Sequence, residues 1–221
     1  TYTGKHFGEV IWLEKANALS PKRYYDLPAI KKEANMYAKW QHSWATNFTS
    51  YIDLQYRNVS HRMDGFHNNP TLNINRSFGF FNPKIGYQYN KNGWVHYASY
   101  AIGQKEPNRD DFEAGAATQP NPERLQDLEI GLEKRNKKTN WSANFYYMRY
   151  KDQLVLTGKI NDVGAYTRMN VPNSYRLGIE LMHTTILTSK LQLSSNVTLS
   201  RNKIKSFTEF IDNYDTGGQD A

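Results

Sequence analysis

Alternation with period two constrains this chain more than any other feature of its sequence. In Leu191-Gln192-Leu193-Ser194-Ser195-Asn196-Val197-Thr198-Leu199-Ser200 the apolar residues take the odd positions, Ser195 excepted. At helical spacing these side chains would scatter around the wheel. Tyr175, Leu177, Ile179 and Leu181 alternate with Arg176, Gly178, Glu180 and Met182. Leu128, Ile130 and Leu132 alternate with Asp127, Glu129, Gly131 and Glu133, and Phe48, Ile52, Leu54 and Tyr56 with Thr49, Tyr51, Asp53, Gln55 and Arg57. Each segment is therefore a strand with one apolar and one polar face.

The pattern predicts about eight strands, over 31–44, 47–62, 77–89, 94–105, 125–136, 140–156, 166–186 and 190–208. Tight turns fall at Ala45-Thr46, at Asn90-Lys91-Asn92-Gly93, at Asn136-Lys137-Lys138-Thr139 and at Leu187-Thr188-Ser189. Asn-Gly is the strongest of these signals, because both residues tolerate positive φ. Longer connections at 63–76, 106–124 and 157–165 separate the hairpins, and residues 1–30 and the tail from Asn213 also read as loop. Short and long links thus alternate. A meander of long hairpins with its short turns at one end describes an outer-membrane β-barrel. Several segments exceed the strand length usual in soluble sandwiches and reach the roughly 9–11 residues a tilted strand needs to cross a bilayer.

Composition agrees. Aromatic residues make up 14%, with 16 Tyr, while the mean hydropathy is only −0.79. Tyr and Trp favour membrane interfaces, and a barrel with a wet lumen needs apolar side chains only at alternate positions. The absence of cysteine excludes disulfides and Cys-based metal sites. A net charge of +7 without a run of five bases argues against nucleic acid as partner. Thr1 opens the chain without a basic start and apolar stretch, and no run of 18 apolar residues would make a transmembrane helix.

Energetics assign the faces. An Arg or Lys on the lipid side near the midplane costs roughly 2–4 kcal/mol. Asp53, Arg57, Glu129, Arg176 and Glu180 all take the polar faces, which should line the lumen. Ile52, Leu54, Leu128, Ile130, Leu177, Ile179, Leu193 and Val197 should face lipid. Trp141, Ala143, Phe145 and Tyr147 share a face that Arg149 and Lys151 continue. Either the membrane ends near Tyr147 or a bulge switches the faces there.

An ordered series of phrases then carries a family resemblance. It runs through Asp53-Leu54-Gln55-Tyr56-Arg57, Phe81-Asn82-Pro83-Lys84-Ile85-Gly86-Tyr87, Ala98-Ser99-Tyr100-Ala101 and Lys105-Glu106-Pro107-Asn108-Arg109-Asp110. It continues in Pro122-Glu123-Arg124-Leu125, Asn144-Phe145-Tyr146-Tyr147-Met148, Tyr150-Lys151-Asp152-Gln153-Leu154-Val155 and Asn170-Val171-Pro172-Asn173-Ser174-Tyr175. In this order the phrases resemble the late barrel strands of TonB-dependent outer-membrane receptors, most of all the siderophore- and vitamin-type receptors of Bacteroidetes-like bacteria. The resemblance implies a barrel of about 22 strands around an N-terminal plug. It implies import of an iron chelate, haem, cobalamin or oligosaccharide across the outer membrane of a Gram-negative bacterium, driven by the TonB complex through the plug. Residues 1–221 are then expected to be one partial barrel, without plug, early strands or closing strands, and unable to transport alone. The alternatives are a passive porin-like channel and a soluble carbohydrate-binding β-sandwich.

Individual sites weigh less. Arg23, Tyr24 and Tyr25 in the first loop, and Arg109, Phe112 and Arg124 in the 106–124 loop, are the candidates to face a small-molecule ligand. The six histidines, among them His42, His61, His67 and His96, lack the spacing of a metal site. No nucleophile elbow or ordered acid/base pair points to an enzyme, and no cofactor is expected. Isolated Gly79, Gly86 and Gly103 mark bends or close packing.

Overall fold

The computed structural model describes residues 2–10, 22–67, 69–114, 119–160, 164 and 166–221. Nine strands form one sheet: β1 (Tyr2–Val10), β2 (Lys22–Ala45), β3 (Phe48–Asp64), β4 (Asn73–Lys91), β5 (Trp94–Lys105), β6 (Glu123–Arg135), β7 (Thr139–Ile160), β8 (Tyr166–Thr188) and β9 (Leu191–Ile204). Sheet order equals chain order and every pairing is antiparallel, so the sheet is a pure meander. A small hairpin, β10 (Ile211–Asn213) with β11 (Gly218–Asp220), follows. This is the all-β antiparallel meander of a partial barrel that the period-two pattern predicts.

Short turns lie at one end of the sheet and long connections at the other. The β4–β5 turn is Asn92-Gly93, with φ of 52° and 77°, as a two-residue primed turn requires. A Cβ on Gly93 would also meet the Arg135 carbonyl oxygen at 2.5 Å.

Several boundaries differ from the sequence reading. Residues 1–30 are not all loop, because β1 occupies Tyr2–Val10 and β2 starts at Lys22. The loop at 63–76 shrinks to 65–72, and the tail contains β10 and β11. The first two share a cause. These extensions reach beyond the apolar band, and ladder hydrogen bonds continue there without alternation in the sequence to announce them; β10 and β11 form a separate two-stranded sheet.

The register joins the segments into two continuous faces. One cross-strand row runs His42–Ser50–Tyr87–Ala98–Ile130–Phe145–Ile179–Leu199, and the next runs Trp40–Ile52–Ile85–Tyr100–Leu128–Tyr147–Leu177. Leu54, Leu193 and Val197 fall on this same face. Asp53, Arg57, Glu129, Arg176 and Glu180 fall on the other. Between Arg135↔Asn140 and Arg124↔Lys151 the β6–β7 ladder is unbroken. No bulge switches the faces, so Arg149 and Lys151 stand on the apolar face and the apolar band ends at Tyr147.

Aromatic rings edge that band at the short-turn end. His42 packs between Trp40 and Trp44 with centroids at 5.5 and 4.5 Å, and Trp94 meets Trp141 edge-on at 5.4 Å. At the far edge Tyr147 and Tyr175 lie 6.3 Å apart. Along β7, Trp141 to Tyr147 rises about 20 Å along the strand, and Arg149 stands about 7 Å further on.

On the polar face, tyrosines lie over glycines of the neighbouring strand. Tyr51 covers Gly86, Tyr97 covers Gly131 and Tyr146 covers Gly178. A Cβ at Gly86 would come within 2.7 Å of the Tyr51 ring, and one at Gly178 within 2.6 Å of the Tyr146 hydroxyl. The ring shields the glycine's exposed backbone and supplies the packing it lacks. Gly86 therefore marks close packing, as expected. Gly103 does not, since its nearest neighbour is the Leu125 Cβ at 4.0 Å.

Candidate functional site

Among the described residues, buried apolar side chains gather on the polar face, at the long-connection end. Val59 and Met63 of β3 and Ile74, Phe78 and Phe80 of β4 gather there with Phe66 and Leu72 of the 65–72 connection. β4 is apolar on both faces, with Phe78 and Phe80 toward this core and Phe81, Ile85 and Tyr87 opposite. The adjacent Phe80-Phe81 pair is the sequence signal for this, and it passes unnoticed when only one apolar face is sought.

The connection after β5 folds back onto this core instead of standing in solvent. Its first residue, Glu106, accepts hydrogen bonds from Lys31 Nζ at 2.8 Å and from Arg57 Nη1 and Nη2 at 2.6 and 2.8 Å. Its side chain is only 6% exposed. Arg57 also donates to Glu33 through Nε at 2.7 Å and Nη2 at 3.1 Å. Burial pushes the Glu106 carboxyl up, but the hydrogen bonds from Arg57 and Lys31 outweigh it and hold the group at about 2. A short 3-10 turn, Asp110–Ala114, then inserts the Phe112 ring between His61 and Phe78, with centroids at 5.4 and 6.4 Å. Asp111 accepts from the Asn108 amide at 2.7 Å and pairs with Arg168 of β8 at 2.9 Å. Further along, Arg76 donates to the Pro120 carbonyl at 3.3 Å, and Asn121 and Asn170 exchange hydrogen bonds of 2.7 and 2.9 Å. The connection thereby ties β2 and β3 to β8 across the polar face.

A cavity of about 150 Å³ remains between β2, β3 and the start of this connection, lined by Lys31, His61, Met63, Pro107, Asn108 and Arg109 among others. His61 is 4% exposed and its Nε2 has no hydrogen-bond partner. The Arg109 guanidinium lies 4.9 Å from the Phe66 ring centre, and its buried Nη2 is likewise unpartnered. Three nitrogen-bearing side chains thus converge on this small space, one of them, Lys31, already paired with Glu106.

Of the three ligand-facing candidates whose side chains are described, the structure brings Arg109 alone to this cavity. Phe112 is fully buried in the core, a correction whose cause is the inward fold of its connection. Arg124 is also corrected: it stands on β6, on the apolar face, opposite Lys151. Arg23, Tyr24 and Tyr25 lie in β2 rather than in a loop, and their side chains fall outside the described residues. Lys31 and His61 are the contributors the sequence reading missed as a site. They sit opposite each other across β2 and β3, a juxtaposition that only the register reveals.

Residues 13–220 match the family model described as TonB dependent receptor-like, beta-barrel. A search of curated proteins finds no significant match. Among solved structures the chain is similar to the FrpB iron transporter from Neisseria meningitidis (F3-3 variant), with TM-score 0.63 and 19% identity over 81% of this chain and 27% of that one. It is similar to the copper transporter OprC, with TM-score 0.68 and 16% identity over 83% of this chain and 30% of that one. It is also similar to the ferric-catecholate import receptor Fiu from E. coli K12, with TM-score 0.64 and 16% identity over 98% of this chain and 35% of that one. The chain thus spans 27–35% of the length of these proteins.

Proposed function

Because the chain belongs to the TonB-dependent receptor-like β-barrel family, we propose that its sheet is one arc of barrel wall in a Gram-negative outer membrane. The receptor it helps to build imports a small nutrient. The observation that carries this reading is the segregation of the two faces. Apolar and aromatic side chains dominate the rows from Ile52 to Leu177 and from Tyr87 to Leu199, with Arg201 entering only at the β9 end, and Asp53, Glu129 and Glu180 keep to the opposite side. Lipid favours this arrangement, because charge facing it is costly while the lumen admits it. Ile52, Leu54, Leu128, Ile130, Leu177, Ile179, Leu193 and Val197 then contact lipid. The long connections face the exterior, and the 106–122 connection narrows the lumen from that side.

The ligand is an anionic metal chelate. Arg109 and His61, each with a buried nitrogen that has no partner, offer it hydrogen-bond donors on the lumen side, beside the Lys31–Glu106 pair. The structural relatives include proteins named as iron and copper transporters and as a ferric-catecholate receptor, in line with this choice over cobalamin or an oligosaccharide. Transport energy comes from the TonB complex acting on a plug domain. Uptake of radiolabelled ferric chelates in cells lacking and expressing the gene tests the proposal. Uptake should need the gene and should vanish with a protonophore. Uptake that survives loss of the proton gradient would establish a passive channel instead.

A further inference from the structure

Beyond Tyr147 and Tyr175 the apolar face turns cationic. Arg124, Lys151 and Asn173 are direct cross-strand partners, and in the next row toward the short turns Gln126, Arg149, Tyr175 and Lys203 are. Adjacent strands lie about 4.8 Å apart and successive same-face residues about 7 Å, so these cations share one small area. Arg124, Gln126, Arg149, Lys151 and Asn173 enclose a depression of about 190 Å³.

The charges here differ from those at the same end of the other face. There Lys31 and Arg57 pair with Glu106, and Arg168 with Asp111. Arg124, Arg149 and Lys151 have no carboxylate partner among the described residues. Nor do the neighbouring positions of β6 and β8 provide any, because Asp127, Glu129 and Glu133 of β6 and Glu180 of β8 all take the opposite face. Unpaired cations on a face that otherwise meets lipid call for an anion supplied by the membrane. Their height fits. They stand just beyond an aromatic row, where rings mark headgroup level, and at the end of the long connections, which is the outer leaflet. Guanidinium groups suit phosphate oxygens better than any other common anion at that depth.

We infer that Arg124, Arg149 and Lys151 form a binding site for the phosphate of an outer-leaflet lipid headgroup, with Gln126 and Asn173 as neutral donors. The inference rests on the barrel-wall reading, since it needs this face to meet lipid. Arg124, placed by its loop-like sequence among the ligand-facing residues, thereby acquires a role outside the barrel.

The test uses the intact protein, extracted from outer membranes in a mild non-ionic detergent and observed by native mass spectrometry. Bis-phosphorylated lipid A, the same lipid dephosphorylated, and inorganic phosphate are the probes. The wild type should retain the phosphorylated lipid and not the dephosphorylated form. At about fivefold per cation, the combined variant Arg124→Gln, Arg149→Gln and Lys151→Gln should bind about 100-fold more weakly. Lys137→Gln with Lys138→Gln, at the short-turn end, should bind as the wild type does. Equal retention of both lipid forms by the wild type overturns the site, whether or not the triple variant folds. Displacement of the lipid by equimolar inorganic phosphate overturns the lipid as its occupant. A protein that is monomeric and folded without detergent refutes the barrel-wall reading before any lipid is added.

Discussion

Glu106→Gln is the change most informative about how the 106–122 connection is held. The carboxylate accepts from Lys31 and twice from Arg57, at 2.8, 2.6 and 2.8 Å, in a site where it is 6% exposed. Breaking a buried ion pair by removing one partner costs about 3–5 kcal/mol. Arg57 keeps Glu33 at 2.7 Å and Lys31 is 36% exposed, so both orphaned cations retain some solvation and the lower end applies. The drop of the carboxyl from 4.5 to about 2 gives the same order, about 3 kcal/mol at roughly 1.4 kcal/mol per pH unit. The opening equilibrium of the connection should therefore rise about 100-fold. Hydrogen exchange of the Asp111 and Phe112 amides in the intact protein reads this directly, since both bond only within the turn, to Asn108 and Arg109. The sign with pH is fixed as well. The folded carboxyl titrates below its ordinary value, so its contribution is complete above pH 4.5 and fades as pH falls toward about 2. Wild-type protection, corrected for intrinsic exchange, should decline across that window while the variant shows no such decline. Unchanged protection at neutral pH in Glu106→Gln would refute the anchoring role.

Two further changes probe the two faces. Gly131→Ala places a methyl group inside the Tyr97 ring, and the displaced ring also loses its 3.1 Å hydrogen bond to Asn144; it should destabilise the barrel by about 1–3 kcal/mol in urea titration, and the second change Tyr97→Ala should remove most of that penalty. Ile130→Arg, in the middle of the apolar rows, should cost about 2–4 kcal/mol in lipid bilayers, whereas Glu129→Gln on the other face should cost far less, as measured by refolding into vesicles.

The apolar face was legible because one rule governs it. Leu54, Ile130, Ile179 and Val197 must all be apolar for the same reason, so strand identity, face and register can be read from local alternation. The end of the apolar band was not, because Arg149 follows Tyr147 on one face and only an unbroken ladder decides between an interface and a bulge. The inward core was hidden for another reason. Phe112 and Phe78 lie far apart in sequence, and a charged stretch such as Arg109-Asp110-Asp111-Phe112-Glu113 reads as solvated loop until Glu106 and Asp111 are seen to find Arg57 and Arg168. Long-range ion pairs leave no periodic trace. Strand β1 escaped notice because Tyr2–Val10 lacks alternation, as a strand beyond the apolar band is free to do.

The central claim is that the two faces of this sheet meet two different solvents. Nitroxide labels placed one at a time along β6, from Asp127 to Glu133 in the intact protein in lipid bilayers, measure this by their collisions with oxygen and with a water-soluble nickel chelate. Labels at the positions of Leu128, Ile130 and Leu132 should be relaxed by oxygen and shielded from nickel, and labels at Asp127, Glu129, Gly131 and Glu133 should show the reverse. Equal nickel access at all seven positions, or the opposite phase, would contradict the account.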